Sequence, residues 1–306
     1  MRSSQVLPEN GPPRRARRAL LSAAVLLLAW SAGGRSRAGY WGAGTAPLQA
    51  FFPTPGAGAA RQATAKGAPA GELTISAAAD LQFALRAVAE GFERKSGARV
   101  RLVLGSSGNL TEQIEHGAPY DLFFSADVEH PERLEREGLI VADSLFVYAE
   151  GHLVVFVPKG SPLDFGKQGL AALAEASVRK IAIANPRFAP YGRAAVEALE
   201  HAGLYPKLEP RLVLGEDVSQ TTQFVVSGNA QAALTAESLM FAPGAQDRGR
   251  YWVVPPADYR PLAQAAAIVA RSGKQPLARA FLAYLEAPAG QAVLARYGFA
   301  RPEARR

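Results

Sequence analysis

The chain has 306 residues, 48% hydrophobic and 20% charged, enough for one large or two smaller folded domains and unlike a disordered composition. It has no cysteine, which excludes disulfide staples, cysteine-ligated zinc, a cysteine nucleophile and a lipidated N-terminal cysteine. The formal net charge is +7, but residues 1–38 hold seven of the 34 Lys and Arg residues and one of the 27 Asp and Glu residues, so the remainder stands at 27 against 26. A nearly neutral body lacks the basic face that nucleic-acid binding needs, and no nucleic-acid partner is expected.

Arg14-Arg-Ala-Arg-Arg18 leads into the apolar run Ala19–Ala32, with small residues beyond it. A positive start, an apolar centre and a small-residue site predict a secretory signal peptide over residues 1–38. Ser36-Arg-Ala38 is the first cleavage candidate and Gly44-Thr-Ala46 the second. Arg17-Arg18 is weakly similar to a twin-arginine signal. A single membrane anchor is the alternative, although the run is shorter than the ~20 residues a span requires. The signal predicts a periplasmic location. Residues 39–71, rich in Gly, Ala and Pro without a period, read as a flexible linker.

From Glu72 the pattern alternates. Leu73–Ala77 reads as a strand, Leu81–Lys95 as an amphipathic helix, Val100–Leu104 as a strand and Leu110–Glu115 as a short helix. Asp121–Ser125 reads as a buried strand and Pro131–Glu137 as a helix. A second β/α run begins near 155. It has strands at Leu153–Val157, Lys180–Ala184, Arg211–Leu214 and Gln231–Thr235, and helices at Leu170–Ala176, Tyr191–Ala202 and Val218–Ser227. Late strands at Tyr251–Val254 and Ala265–Ala270 precede terminal helices at Gln275–Leu285 and Ala289–Arg296. This alternation predicts an α/β protein of two lobes, with a ligand cleft at the carboxyl ends of the strands. The first lobe is assigned 72–154 and 252–306, the second 155–251.

Four strand-to-helix turns carry the chemistry. Bare N–H groups at helix starts can hold a small anion without a metal or a charged side chain. Gly105-Ser-Ser-Gly-Asn109 offers such N–H groups and two hydroxyls, and equally reads as an ordinary serine N-cap. Ala77-Ala-Ala-Asp80 places backbone at a second helix start, where Asp80 is either an N-cap or a carboxylate turned to the cleft. An inward carboxylate would repel a dianion and suit a ligand that carries a proton. Asn185–Gly192 puts Tyr191 at a third start, as a phenolic donor or a packed aromatic, and Gly215–Ser219 puts the Val218 N–H at a fourth. The four histidines are scattered without metal-ligand spacing, and no G-x-S-x-G elbow is present.

In combination, Ala-Ala-Ala-Asp-Leu (77–81), Gly-Ser-Ser-Gly-Asn-Leu (105–110), Gly-Ala-Pro-Tyr-Asp-Leu-Phe-Phe-Ser-Ala-Asp (117–127), Asn-Pro-x-x-x-Pro-Tyr-Gly (185–192), Glu-Asp-Val (216–218) and the late Arg-Tyr-Gly-Phe (296–299) resemble the periplasmic molybdate-binding proteins (ModA) of ABC importers. The resemblance spans about 72–300. It implies a type II periplasmic binding fold that closes on molybdate or tungstate and delivers it to a membrane permease. The protein is then not an enzyme, needs no cofactor and acts as a monomer. Carried over by motif, the oxyanion contacts are Ala79, Asp80, Ser107, Tyr191 and Val218, with no side chain ligating the metal directly. Two departures stand out: Ala79 has no hydroxyl, and Thr235 stands where some relatives carry a tyrosine. Sulfate or phosphate is the alternative ligand, with Asp80 accepting a ligand proton.

Overall fold

The structure is a computed structural model that describes residues 71–302. The signal peptide expected at 1–38 and, apart from Gly71, the linker at 39–71 lie outside the described residues. No helix among the described residues is long and apolar enough to cross a membrane.

In chain order, β1 (Glu72–Ala78) turns through a 3-10 segment (Ala79–Leu81) into α1 (Gln82–Ser96). β2 (Arg99–Gly105), α2 (Ser107–Glu115), β3 (Leu122–Ser125), α3 (Glu129–Arg136) and β4 (Phe146–Gly151) follow. The second lobe begins at β5 (Leu153–Pro158). It continues through the short α4 (Phe165–Gln168), β6 (Ile181–Ala184), α5 (Pro190–His201), α6 (Tyr205–Leu208), β7 (Leu212–Gly215), α7 (Val218–Val226), β8 (Ala232–Ala236), α8 (Ala245–Arg248) and β9 (Gly249–Val253). The chain then returns through β10 (Leu262–Ile268) to the terminal helices α9 (Gln275–Glu286) and α10 (Pro288–Arg296).

Two five-stranded sheets result, ordered β2-β1-β3-β10-β4 and β7-β6-β8-β5-β9. In the first, β1 runs parallel to β2 and β3, and β10 lies antiparallel between β3 and β4. In the second, β6 runs parallel to β7 and β8, and β5 is antiparallel to β8 and β9. The chain crosses between sheets at His152 and again between Val253 and Leu262. The lobe boundaries drawn from sequence fall inside strands, because Leu153, Val154, Trp252 and Val253 pair within the second sheet. β4 is an element absent from the sequence reading, which began a strand only at Leu153: Phe146–Gly151 runs into β5 with His152 alone between them, and the two strands lie in different sheets. The helix expected at Leu170–Ala176 is a 3-10 segment, Gly169–Ala174.

Each sheet buries its inner strands under helices. In the first lobe Leu73, Ile75 and Ala77 of β1 are buried with Leu81 of the 3-10 segment, Leu85 and Val88 of α1 and Phe281 and Leu285 of α9. Phe281 is fully buried and lies edge-on to Phe92 at 5.1 Å and Phe124 at 6.1 Å between ring centroids. It ties a C-terminal helix to the sheet's centre. Phe281→Ala should therefore destabilise the protein by about 3–5 kcal/mol through lost transfer energy and a residual cavity. Urea unfolding checks this, and a loss under ~1 kcal/mol would show that α9 is not integral to the lobe.

Candidate functional site

The parallel strands of each sheet end level with one another. Ala78 of β1 pairs with Gly105 of β2, and Ala184 of β6 pairs with Gly215 of β7. Each strand end feeds a helix start, so the turns converge at the carboxyl edges of both sheets. The two edges touch. Gly108 N donates to Phe188 O at 2.8 Å, Ser238 Oγ to Asp80 O at 2.7 Å, and Ser219 Oγ to Gln82 Oε1 at 3.1 Å. A Cβ at Gly108 would lie 2.8 Å from Phe188 O, so this approach of the lobes requires glycine.

All five sequence-predicted site residues are buried here: Ala79, Asp80, Ser107, Tyr191 and Val218. Ala79, Tyr191 and Val218 share one apolar cluster with Ala78 and Ala126. Ser107 Oγ accepts from Ala126 N at 3.0 Å, which fastens α2 to the turn after β3 and leaves the hydroxyl proton free to donate elsewhere. Val218 is the first residue of α7, and its carbonyl accepts from Thr235 Oγ1 at 3.1 Å and Thr222 Oγ1 at 2.9 Å. Thr235 thus props the first turn of α7 from the strand beneath. Asp217 caps that helix by accepting from Gln220 N at 2.9 Å.

Asp80 is not an N-cap: it sits within the 3-10 turn, and the residue at the N-cap position of α1 is Leu81. Its Oδ2 accepts instead from Gln264 Nε2. The same amide nitrogen lies 3.3 Å from Tyr191 Oη as a donor, and Gln264 Oε1 accepts from Tyr148 Oη at 2.7 Å. Gln264 sits at a register shift in β10, between Gln264 and Ala265, the kind of bulge that re-aims a side chain. Gly151 leaves room for this group. A Cβ there would lie 2.8 Å from Gln264 Nε2 and would collide with Tyr191 Oη.

Two buried polar atoms in the cleft have no hydrogen-bond partner, Asp80 Oδ1 and Ser106 Oγ. Ser106 occupies the N-cap position of α2, yet its side chain makes no cap bond. Unpartnered buried polar atoms are costly and mark places where something else completes the bonding. Burial pushes the Asp80 carboxyl up from its ordinary 3.8 to about 6, against the opposing influence of the Gln264 amide first, and then of the Tyr191 phenol and the Asp80 and Leu81 N–H groups beside it. Burial and then the Asp80 charge push the Tyr191 phenol well above its ordinary range; burial does the same for Tyr148. Both stay protonated as donors.

The flanking cations are already engaged. Arg193 pairs with Asp127 and, at 3.4 Å, with Glu129. Burial opposes ionisation of Asp127, but its bonds with His130 and Ser125 and the Arg193 charge outweigh that and hold its carboxyl below the usual range. Arg187 stacks 5.0 Å from the Phe188 ring centroid. Among the described residues no group of three or more His, Asp or Glu residues could hold a metal ion. The cleft is therefore equipped with N–H and O–H donors rather than with ligating clusters. Sequence reasoning held Ser106 only as part of its motif and missed Tyr148 and Gln264; for Gln264 the available signal was a glutamine inside the otherwise apolar stretch Leu262–Ile268.

This arrangement defines a two-lobed solute-binding protein. The profile of the bacterial extracellular solute-binding proteins matches residues 73–300. The chain is 37% identical over 232 residues to the molybdate-binding protein ModA of Azotobacter vinelandii, covering 76% of this chain and 91% of that one. It is 34% identical to ModA of Rhodobacter capsulatus, over 76% and 89% of the two chains. The solved structure of the Azotobacter vinelandii periplasmic molybdate-binding protein superposes with a TM-score of 0.71 at 34% identity, covering 76% of this chain and 100% of that one. The sulfate-binding protein SubI of Mycobacterium tuberculosis shares the fold at a TM-score of 0.65 and 17% identity. The chain belongs to the ModA family of bacterial extracellular solute-binding proteins.

The Asp80 carboxyl titrates higher in the folded chain than in the unfolded one, so its contribution to stability is full below about 3.8 and is lost as the pH rises through about 6. Asp80→Asn removes that loss. Relative to its effect at pH 4, the substitution should raise the unfolding free energy at pH 8 by about 1–3 kcal/mol. Thermal unfolding across pH measures this; a pH-independent effect would contradict the burial of an ionisable Asp80.

Proposed function

We propose that the protein captures molybdate or tungstate outside the cytoplasm and delivers it to the membrane permease of an ABC importer. What supports this reading is that Ala79, Asp80, Ser107, Tyr191 and Val218, from both lobes, are all buried at or beside helix starts on the facing edges of the two sheets. The N–H groups of Ala79, Asp80, Ser107 and Val218, with the hydroxyls of Ser106, Ser107 and Tyr191, would enclose a tetrahedral oxyanion. Helix N-termini favour anions through aligned N–H dipoles. Neutral donors favour a fully ionised oxyanion over one that keeps a proton, and cage size would then separate molybdate and tungstate from the smaller sulfate. The similarity to ModA proteins of two organisms supports the same ligand. The oxyanion is cargo; no cofactor and no catalytic step are part of this reading. The signal-like N-terminus fits a periplasmic protein, and this reading takes it as a monomer.

Titration calorimetry with molybdate, tungstate, sulfate and phosphate tests this directly. Molybdate and tungstate should bind and sulfate and phosphate should not; tight phosphate binding without molybdate binding would overturn it. Ser107→Ala and Ser106→Ala should each weaken molybdate by about five- to a hundredfold, the worth of one hydrogen bond to a charged group, about 1–3 kcal/mol. Unchanged affinity in both would place the anion elsewhere.

A further inference from the structure

A cage of neutral donors is an odd place for a carboxyl group. Asp80 is 1% exposed, and of its two oxygens only Oδ2 is engaged, by the Gln264 amide. Oδ1 is buried without a partner, at the same turn whose N–H groups open the cleft. An ionised Oδ1 is an acceptor only, and no donor stands at hydrogen-bond geometry to it; a protonated one is a donor, like the N–H and O–H groups of the cleft.

The groups packed around this carboxyl supply no countercharge. From α5 comes the Tyr191 phenol, from β4 the Tyr148 phenol, from β10 the Gln264 amide, and from the segment after β8 the Ser238 hydroxyl, which is spent on the Asp80 carbonyl. The further charges around this group are paired: Asp127, whose influence reaches Tyr148, is held by Arg193 and His130, and Glu237, next to Ser238, pairs with His152 at 3.0 Å. A dianion entering beside an ionised Asp80 would meet a third negative charge in a desolvated pocket.

We infer that Asp80 makes this a site for an oxyanion plus a proton: the buried, unpartnered Oδ1 carries a proton taken up from solvent when a tetrahedral dianion binds, and donates it to a ligand oxygen. This rests on the proposed oxyanion function of the cleft. The balance is simple. Carboxylate, one proton and the dianion combine to a neutral carboxyl hydrogen-bonded to the dianion, with no bond broken in the anion. Binding raises the carboxyl's affinity for its proton, so oxyanion affinity is full below the free protein's titration near pH 6 and falls as the pH rises above it, approaching tenfold per pH unit.

The test is molybdate calorimetry on the full mature protein at pH 7.5 in buffers of differing ionisation heat, with dissociation constants from pH 6 to 8.5. Wild type should take up close to one proton per molybdate, and its affinity should fall at least tenfold between pH 6.5 and 8. Asp80→Asn keeps the shape and presents a neutral amide. It should bind molybdate with near-zero proton uptake and a flat profile over the same range. Molybdate binding by wild type with no proton uptake, or an identical pH dependence in Asp80→Asn, would overturn this inference and leave the function standing. No molybdate binding at all by wild type would remove both.

Discussion

The Gln264 amide ties together buried polar side chains of both lobes. Its nitrogen faces Asp80 of the first lobe and Tyr191 of the second, and its oxygen accepts a hydrogen bond from Tyr148 Oη of the neighbouring β4. A primary amide has two donor hydrogens and an acceptor oxygen, so a single buried side chain can satisfy all three neighbours. An apolar residue at 264 would strand a carboxylate and a phenol in the interior, where unsatisfied groups are expensive. The bulge in β10 aims this amide, and Gly151 clears its space. The positions of Asp80 and Tyr191, and so the shape of the cleft between them, depend on it.

Around that centre the architecture is economical in charge. The arginines near the cleft are paired or stacked, and the helix starts of α2, α5 and α7 supply dipoles in their place. Dipoles fixed by the backbone do not have to be reoriented or desolvated when an anion arrives, whereas a mobile lysine would. On the proposed function, discrimination among tetrahedral anions is then a matter of cage size and of protons. Asp80 is the one member of the cage whose proton count is not fixed by its chemistry.

Much of the fold was legible because the signals were local. The apolar runs of β1, β3 and β6 and the periodic face of α1 lie within single windows, and the small-residue turns after β1, β2 and β7 mark where strands become helices. β4 was not legible, since Phe146–Gly151 meets β5 with one residue between and no turn chemistry separates them. At the site, Ala79, Asp80, Ser107, Tyr191 and Val218 sit in motifs, whereas Gln264 contacts Asp80 across 184 positions of chain. No spacing rule reaches that far. Ser106 and Ser107 adjoin in one motif, and only the packing of α2 against the turn after β3 tells them apart: Ser107 Oγ accepts a backbone N–H, and Ser106 Oγ has no partner.

The central claim is that the cleft holds molybdenum as an intact tetrahedral oxyanion, touched through its oxygens by neutral donors and never ligated at the metal. Molybdenum K-edge absorption of the desalted, molybdate-loaded protein tests it most directly. The account predicts one retained metal per chain with the four-oxygen tetrahedral spectrum of the free anion. An expanded coordination shell, with a carboxylate oxygen such as Asp80's joined to the metal, or no molybdenum retained, would contradict it.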